Sequence, residues 1–115
     1  MDFPRRGEIW LVSLEPTIGH EIGKTRPALV ISNDLNNQYA ETITVLPITS
    51  KTEKIYPFET FISSEESGLP KDSKIKSNQI RTVDKRRLVK FISRIPEEKL
   101  KQVEQAILIH LGIEC

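Results

Sequence analysis

Hydrophobic positions alternate with polar ones along most of the chain, in short runs separated by turn-forming residues. GEIWLVSL, residues 7–14, places Ile9, Leu11 and Ser13 on one face and Trp10, Val12 and Leu14 on the other. Both faces are largely apolar, which predicts a central or sandwiched strand. RPALVIS, 26–32, predicts a second strand, with its proline at the first position or on an edge because it has no N–H to donate. TITVLPIT, 42–49, is a third run of β-branched residues, ending near Pro47. FETFI, 58–62, predicts a fourth strand, SKIKSNQIRTV, 73–83, a fifth with a bend or bulge inside it, and RLVKFIS, 87–93, a short last one.

Between these runs, EPTIGHEIGKT, 15–25, reads as a long mobile loop, and NDLNNQYA, 33–40, as a turn with one short helix. SSEESGLPKD, 63–72, reads as a plain connection broken by Gly68 and Pro70. Only the end of the chain has helical period. Leu100, Val103, Ile107 and Leu111 recur at three- and four-residue steps, giving one apolar stripe over 96–111. Pro96 suits the first helical position, Glu97 and Glu98 the positive end of the dipole, and Gly112 the C-terminal cap. Many short strands and one late helix predict a mainly β protein with a C-terminal helix, a small barrel or half-open sandwich, in a single domain over 1–115.

Composition narrows the classes without naming one. The 115 residues are 37% apolar and 29% charged, ordinary for a soluble domain, and no apolar run is long enough to cross a bilayer. The N-terminus has no apolar stretch of signal-peptide type. The single cysteine, Cys115, has no partner for an internal disulfide, so the expected compartment is the cytoplasm. Net charge is only +1, yet the stretch from Lys71 to Lys90 carries +6 and the remainder −5. Such a split makes a basic face on a near-neutral protein, or merely a solvated one.

The residues support few chemistries. Two histidines and one cysteine without HExxH or CxxC spacing give no zinc site, and no phosphate-binding glycine loop or nucleophile elbow is present. No metal or cofactor is expected. What remains is a scatter of phosphate-binding groups at strand ends and in loops: His20, Glu21, Lys24 and Arg26; Thr49, Ser50 and Lys51; Lys76, Asn78, Gln79 and Arg81. Guanidinium forks grip phosphate oxygens and short hydroxyls donate to them. Each has an ordinary structural explanation too. Arg26 could cap a sheet or pair with Glu21, Thr49 could be a strand-end residue, His20 an exposed loop histidine, and Lys85 to Arg87 a basic turn. His110 is accounted for by helix packing.

RGEIWLVSLEPTIGHEIGKTRPALVIS, Arg6 to Ser32, resembles the N-terminal signature of the MazF/PemK/Kid toxins. LPITS at 46–50 and QIRTVDKRRL at 79–88 are similar to that family's later blocks, in order and at suitable spacing. The similarity runs from about residue 5 to 112. It implies a small SH3-like barrel of the MazF/CcdB type, acting as a homodimer. It implies a sequence-specific endoribonuclease that cuts single-stranded RNA without a metal, and a cognate MazE-like antitoxin whose extended, partly acidic tail blocks the site.

By that resemblance Arg26 and Thr49 are the functional arginine and threonine, and His20 matches a histidine implicated in some members. Glu21, Lys24, Ser50, Lys51, Lys76, Asn78, Gln79 and Arg81 are then candidate RNA contacts, with Trp10, Tyr56 or an arginine plane for stacking. One position departs from the pattern. The residue before the Gln of the QxRT block is often acidic in relatives and here is Asn78, which cannot act as a base. Arg26, Thr49 or His20 must then cover more of the chemistry. The competing readings are a non-catalytic poison of gyrase on the CcdB pattern and an RNA-binding module without cleavage.

Overall fold

The two apolar faces of the first strand each have a core to fill. The computed structural model describes residues 3–114; Cys115 lies outside them. Strand β1, Glu8–Ser13, is flanked by β2, Thr25–Val30, and by β7, Leu88–Arg94, both antiparallel. On one side Ile9 joins Leu29, Leu46, Ile48, Ile62 and Ile75 beneath the C-terminal helix. On the other, Val12 and Leu14 join Ala28, Val30, Ile43, Val45 and Val83. The side chains divide by strand parity, so one sheet serves two cores.

Strand β3, Thr42–Thr49, organises the rest. One edge pairs with β2 from Val45 to Pro47. The other edge pairs first with β6, Arg81–Asp84, through Thr42 to Val45, and then with β5, Ser73–Lys76, through Ile48 and Thr49. Pro47 falls in the gap between those two partners. The strand does not end there, contrary to the expectation from sequence, because the position that lacks an N–H needs no ladder partner on that edge. Opposite the gap, the expected fifth strand breaks in two. Ser77–Gln79 form a single 3-10 turn between β5 and β6. Pro27 also lies inside its strand rather than at its start, opposite Leu11, before the pairing of β2 with β3 begins.

Strand β4, Glu59–Ile62, pairs with β5 and completes the order β4-β5-β3-β2-β1-β7, with β6 on β3. The stretch 63–72 is more than a plain connection. It holds a short helix α2, Ser64–Ser67, closed by a reciprocal Ser63/Glu66 capping box and by Gly68 at φ 74°. Helix α1, Asp34–Tyr39, is capped by Asn33, whose side chain accepts from the Asn36 N–H. Helix α3, Glu97–Leu111, starts one residue later than predicted, with Pro96 as its N-cap, and ends at Gly112 at φ 70°. Leu100 and Val103 are buried on the sheet and Ile107 packs beside them, but Leu111 is half exposed. The stripe outruns the surface it covers.

Candidate active site

Three strand ends converge at one edge of the sheet. Arg26 enters on β2 opposite Val12, Thr49 closes β3, and Lys74 faces Thr49 from β5. Together with Ile22, Lys51 and Lys76 they line a groove of roughly 230 Å³. The Arg26 Nε donates to the carbonyl of Gly23 at 2.9 Å, which fixes the plane of the guanidinium. Among the described residues its two Nη groups have no carboxylate partner. Arg26 is therefore not sealed against an acid, and its fork is free to grip an anion.

Gly23 holds that carbonyl in place for a steric reason. A Cβ there would come within 2.5 Å of the Thr17 hydroxyl and 2.9 Å of Glu15 Oε2. The Glu15 carboxylate takes the Thr17 O–H at 3.1 Å and the Lys24 N–H at 3.0 Å, and so folds the loop back on itself. Lys24 turns the chain at φ 66°. The loop is anchored further by the Gln79 Oε1, which accepts from the Ile22 N–H at 3.3 Å, and by Arg81, which donates to the Leu14 carbonyl at 3.1 Å. Arg87 also reaches back, to the Ser13 carbonyl at 3.2 Å and to that of Glu15.

Thr49 is nearly buried at 9% exposure, and its Oγ1 accepts from the Lys51 N–H at 3.3 Å. Its own hydroxyl hydrogen stays available to a ligand. Behind the groove lies a group the sequence reading missed. Glu59, the first residue of β4, accepts from Lys74 Nζ at 2.9 Å, from Lys76 Nζ at 3.0 Å and from the Tyr56 N–H at 3.0 Å. Burial pushes its pKa up, but the Tyr56 N–H and the two ammonium groups outweigh it, and the net shift is downward. The signal was present in the alternation of SKIK. Lys74 and Lys76 share a face because Ile75 points to the core.

The other expected residues are distributed around this point. Ser50 lines a second hollow of about 280 Å³ on the far side of Arg26, with Lys71 and Ser73. Glu21, Asn78, Gln79 and Arg81 meet in a third, of about 370 Å³, at the 3-10 turn. The Asn78 Oδ1 is buried there without a hydrogen-bond partner among the described residues. His20 and Lys24 are exposed on the loop and line none of these hollows. Tyr56 stacks parallel on Phe58 at 5.4 Å, with Lys54 Nζ 4.8 Å from its ring. Trp10 packs edge-on against Phe91 at 5.8 Å, away from the groove. Among the described residues, no three His, Cys, Asp or Glu side chains gather as metal ligands.

Residues 5–111 match the model of the PemK-like, MazF-like toxins of type II toxin–antitoxin systems. The chain belongs to this family. The Endoribonuclease MazF9 of Mycobacterium tuberculosis (strain ATCC 25618 / H37Rv) is 41% identical over 114 residues, covering 95% of this chain and 97% of that protein. A crystal structure of MazF from Deinococcus radiodurans superposes with a TM-score of 0.86 at 26% identity, over 98% of this chain and 100% of that one. A MazE–MazF structure from the same organism gives 0.77 at 26% identity, over 96% and 98%. The mainly β fold with its C-terminal helix is thus the MazF-family fold, as the sequence blocks implied. No described helix is long and apolar enough to cross a membrane.

Proposed function

We propose that this toxin, an endoribonuclease like its MazF relative, cuts single-stranded RNA at the groove between Arg26 and Thr49. The ribose 2′-oxygen attacks the adjacent phosphorus, the P–O5′ bond breaks, and the products are a 2′,3′-cyclic phosphate and a 5′-hydroxyl. The proton leaves the 2′-oxygen and one is delivered to the 5′-oxygen. Arg26 stabilises the charge that builds on the non-bridging oxygens, with donors already oriented by the Gly23 carbonyl. One such donor is worth roughly 3–4 kcal/mol of barrier in other enzymes. Thr49 donates its hydroxyl hydrogen to the same phosphate. A guanidinium keeps its protons, so it is a poor base and a good donor. His20, exposed on the loop that carries Gly23, is the imidazole of that loop and the candidate for moving a proton.

The observation that carries this reading is a guanidinium with a free fork beside a buried hydroxyl, in a groove with three lysines. The same charge fits an antitoxin of the MazE kind with an extended acidic tail, and the site of action is the cytosol, where the RNA is. The working unit is a homodimer. Neutral Asn78 supports one second reading, an RNA-binding module that has lost cleavage.

The test is incubation with a long unstructured RNA in EDTA and mapping of the ends. Discrete cuts bearing cyclic phosphate are expected. Retention without cuts would favour the binding module, and neither would remove the reading. Arg26→Ala should abolish cleavage and leave the thermal midpoint unchanged, because its guanidinium makes one backbone hydrogen bond and no ion pair among the described residues. His20→Ala should cost less than Arg26→Ala.

A further inference from the structure

The strand that faces Thr49 carries more positive charge than its own packing needs. Lys74, Glu59 and Lys76 form one hydrogen-bonded cluster in which the side chains are 9%, 1% and 20% exposed. Lys74 Nζ also donates to the Lys54 carbonyl at 2.7 Å, and it lies 5.9 Å from the Tyr56 ring. One ammonium is enough to neutralise the carboxylate. The second is a surplus cation largely withdrawn from water, beside Arg26 and Lys51 in the same groove. A buried ion pair contributes little to folding, and a second cation on the same carboxylate leaves a net positive charge withdrawn from water. The surplus is explained if an anion from outside completes the cluster.

The donors suit that task. An ammonium has three N–H groups. Lys74 uses two on Glu59 and the Lys54 carbonyl, and Lys76 uses one on Glu59. Each keeps at least one for the groove that both line. Thr49 and Lys74 are direct cross-strand partners, and such pairs hold their Cβ atoms about 5 Å apart. A group bound by the lysines is therefore the immediate neighbour of a group bound by Thr49.

We propose that Lys74 and Lys76 form a second phosphate subsite, which holds the phosphodiester next to the scissile one, and that Glu59 is the positioning residue that aims both ammonium groups. The subsite rests on the RNA-cleaving reading above and adds to it a register for the strand. Arg26 and Thr49 hold the reacting phosphate, and the lysines fix which neighbour lies beside it.

The test uses short substrates that contain one mapped cut site, with a neutral methylphosphonate at either neighbour of the scissile phosphate. The wild type should lose about ten-fold in kcat/KM when one of the two neighbours is neutral and little when the other is. Lys76→Met should lose a similar factor on the native strand and be indifferent to the methylphosphonate. Lys76→Arg should keep the wild-type sensitivity. Glu59→Gln should lower kcat without raising KM, since it leaves both charges but frees their aim. Lys74→Met is the companion variant, judged with its circular dichroism and thermal midpoint. A wild type indifferent at both neighbours would overturn the subsite, as would a Lys76→Met variant that stays fully sensitive.

Binding of a 2′-O-methyl oligonucleotide, followed by fluorescence anisotropy against salt, separates the two levels. The log–log salt slope should fall by about 0.7 for each lysine removed. If the wild type binds with that behaviour but cuts no RNA, cleavage is wrong and the subsite stands. An unchanged slope in both lysine variants means that the subsite is wrong, whatever the cleavage assay shows.

Discussion

A single carboxylate decides how the groove is charged. Glu59 is 6% exposed and accepts three hydrogen bonds, two of them from ammonium groups. Removing it leaves two largely buried lysines side by side, and truncating one member of a buried charged cluster costs about 3 kcal/mol or more. Glu59→Ala should therefore lower stability by about that amount in urea unfolding. The pH dependence has a definite sign. The folded pKa lies below the ordinary 4.5, so the stabilisation is complete above that value and is lost as pH falls through the lower folded value. The acid limb of the thermal midpoint, followed from pH 6 downwards, should be shallower in Glu59→Gln than in the wild type. Equal limbs in the two proteins would show that the carboxylate is not held in its charged form by its partners.

Asn78 presents the opposite situation, a buried acceptor with no donor among the described residues. A carboxylate placed there would lose water around its buried oxygen and gain a neighbour in Glu21, which raise its pKa, against Arg81 in the same hollow, which lowers it. Asn78→Asp should keep or raise the cleavage rate, at a cost of about 1–3 kcal/mol in stability. If the rate collapses while the fold survives, the amide itself is what the RNA contacts.

At the scale of elements, the site exists because three pieces of chain are forced together by register. The loop 14–24 is closed by the Glu15 carboxylate through a space that only a glycine leaves open. Gly23→Ala should open that closure, unseat the carbonyl that orients Arg26, and lower kcat by about ten-fold or more. The global thermal midpoint should change little, since Gly23 has no side chain in either core and Ile22 beside it packs only on the rim of the second. A variant with wild-type kcat would mean that Arg26 needs no such support.

Most strands were legible because alternation and β-branching report burial directly, as in TITVLPIT. Helix α3 was legible from its period. The division of residues 73–83 was not, because it depends on Pro47, thirty residues away, falling opposite the gap between β5 and β6. Helix α2 was written locally in the Ser63 and Glu66 pair, but the glycine and proline beside it read as a loop. The same non-local register hid Lys74 and Glu59. Their partnership is a cross-strand fact, and Lys74 alone reads as one more surface lysine. Arg26 and Thr49, by contrast, stood in motifs that could be seen in one dimension.

For the whole molecule, the near-neutral net charge conceals a local excess, since the fold brings Lys74 and Lys76 of the basic stretch together with Arg26 and Lys51 in one groove. The apolar surface is also uneven. The stripe of helix α3 is buried at Leu100 and Val103 and runs off the sheet at Leu111, which is half exposed, as are Ile109 off the stripe and Ile113 beyond the Gly112 cap. Exposed aliphatic side chains around one helix end offer a surface for the second copy in the homodimer proposed above. Beside them His110 tilts against Phe58 at 6.2 Å, and Phe58 carries the Tyr56 ring next to Lys74. The helix end and the cationic groove are thus joined by one tilted and one stacked ring contact. In that proposed homodimer, Leu111→Glu should shift the protein from dimer to monomer in sedimentation velocity at micromolar concentration. It should leave the monomer folded, because Leu111 contributes little to either core. Cleavage should fall with the dimer. If Leu111→Glu remains a dimer with full activity, a different face joins the copies.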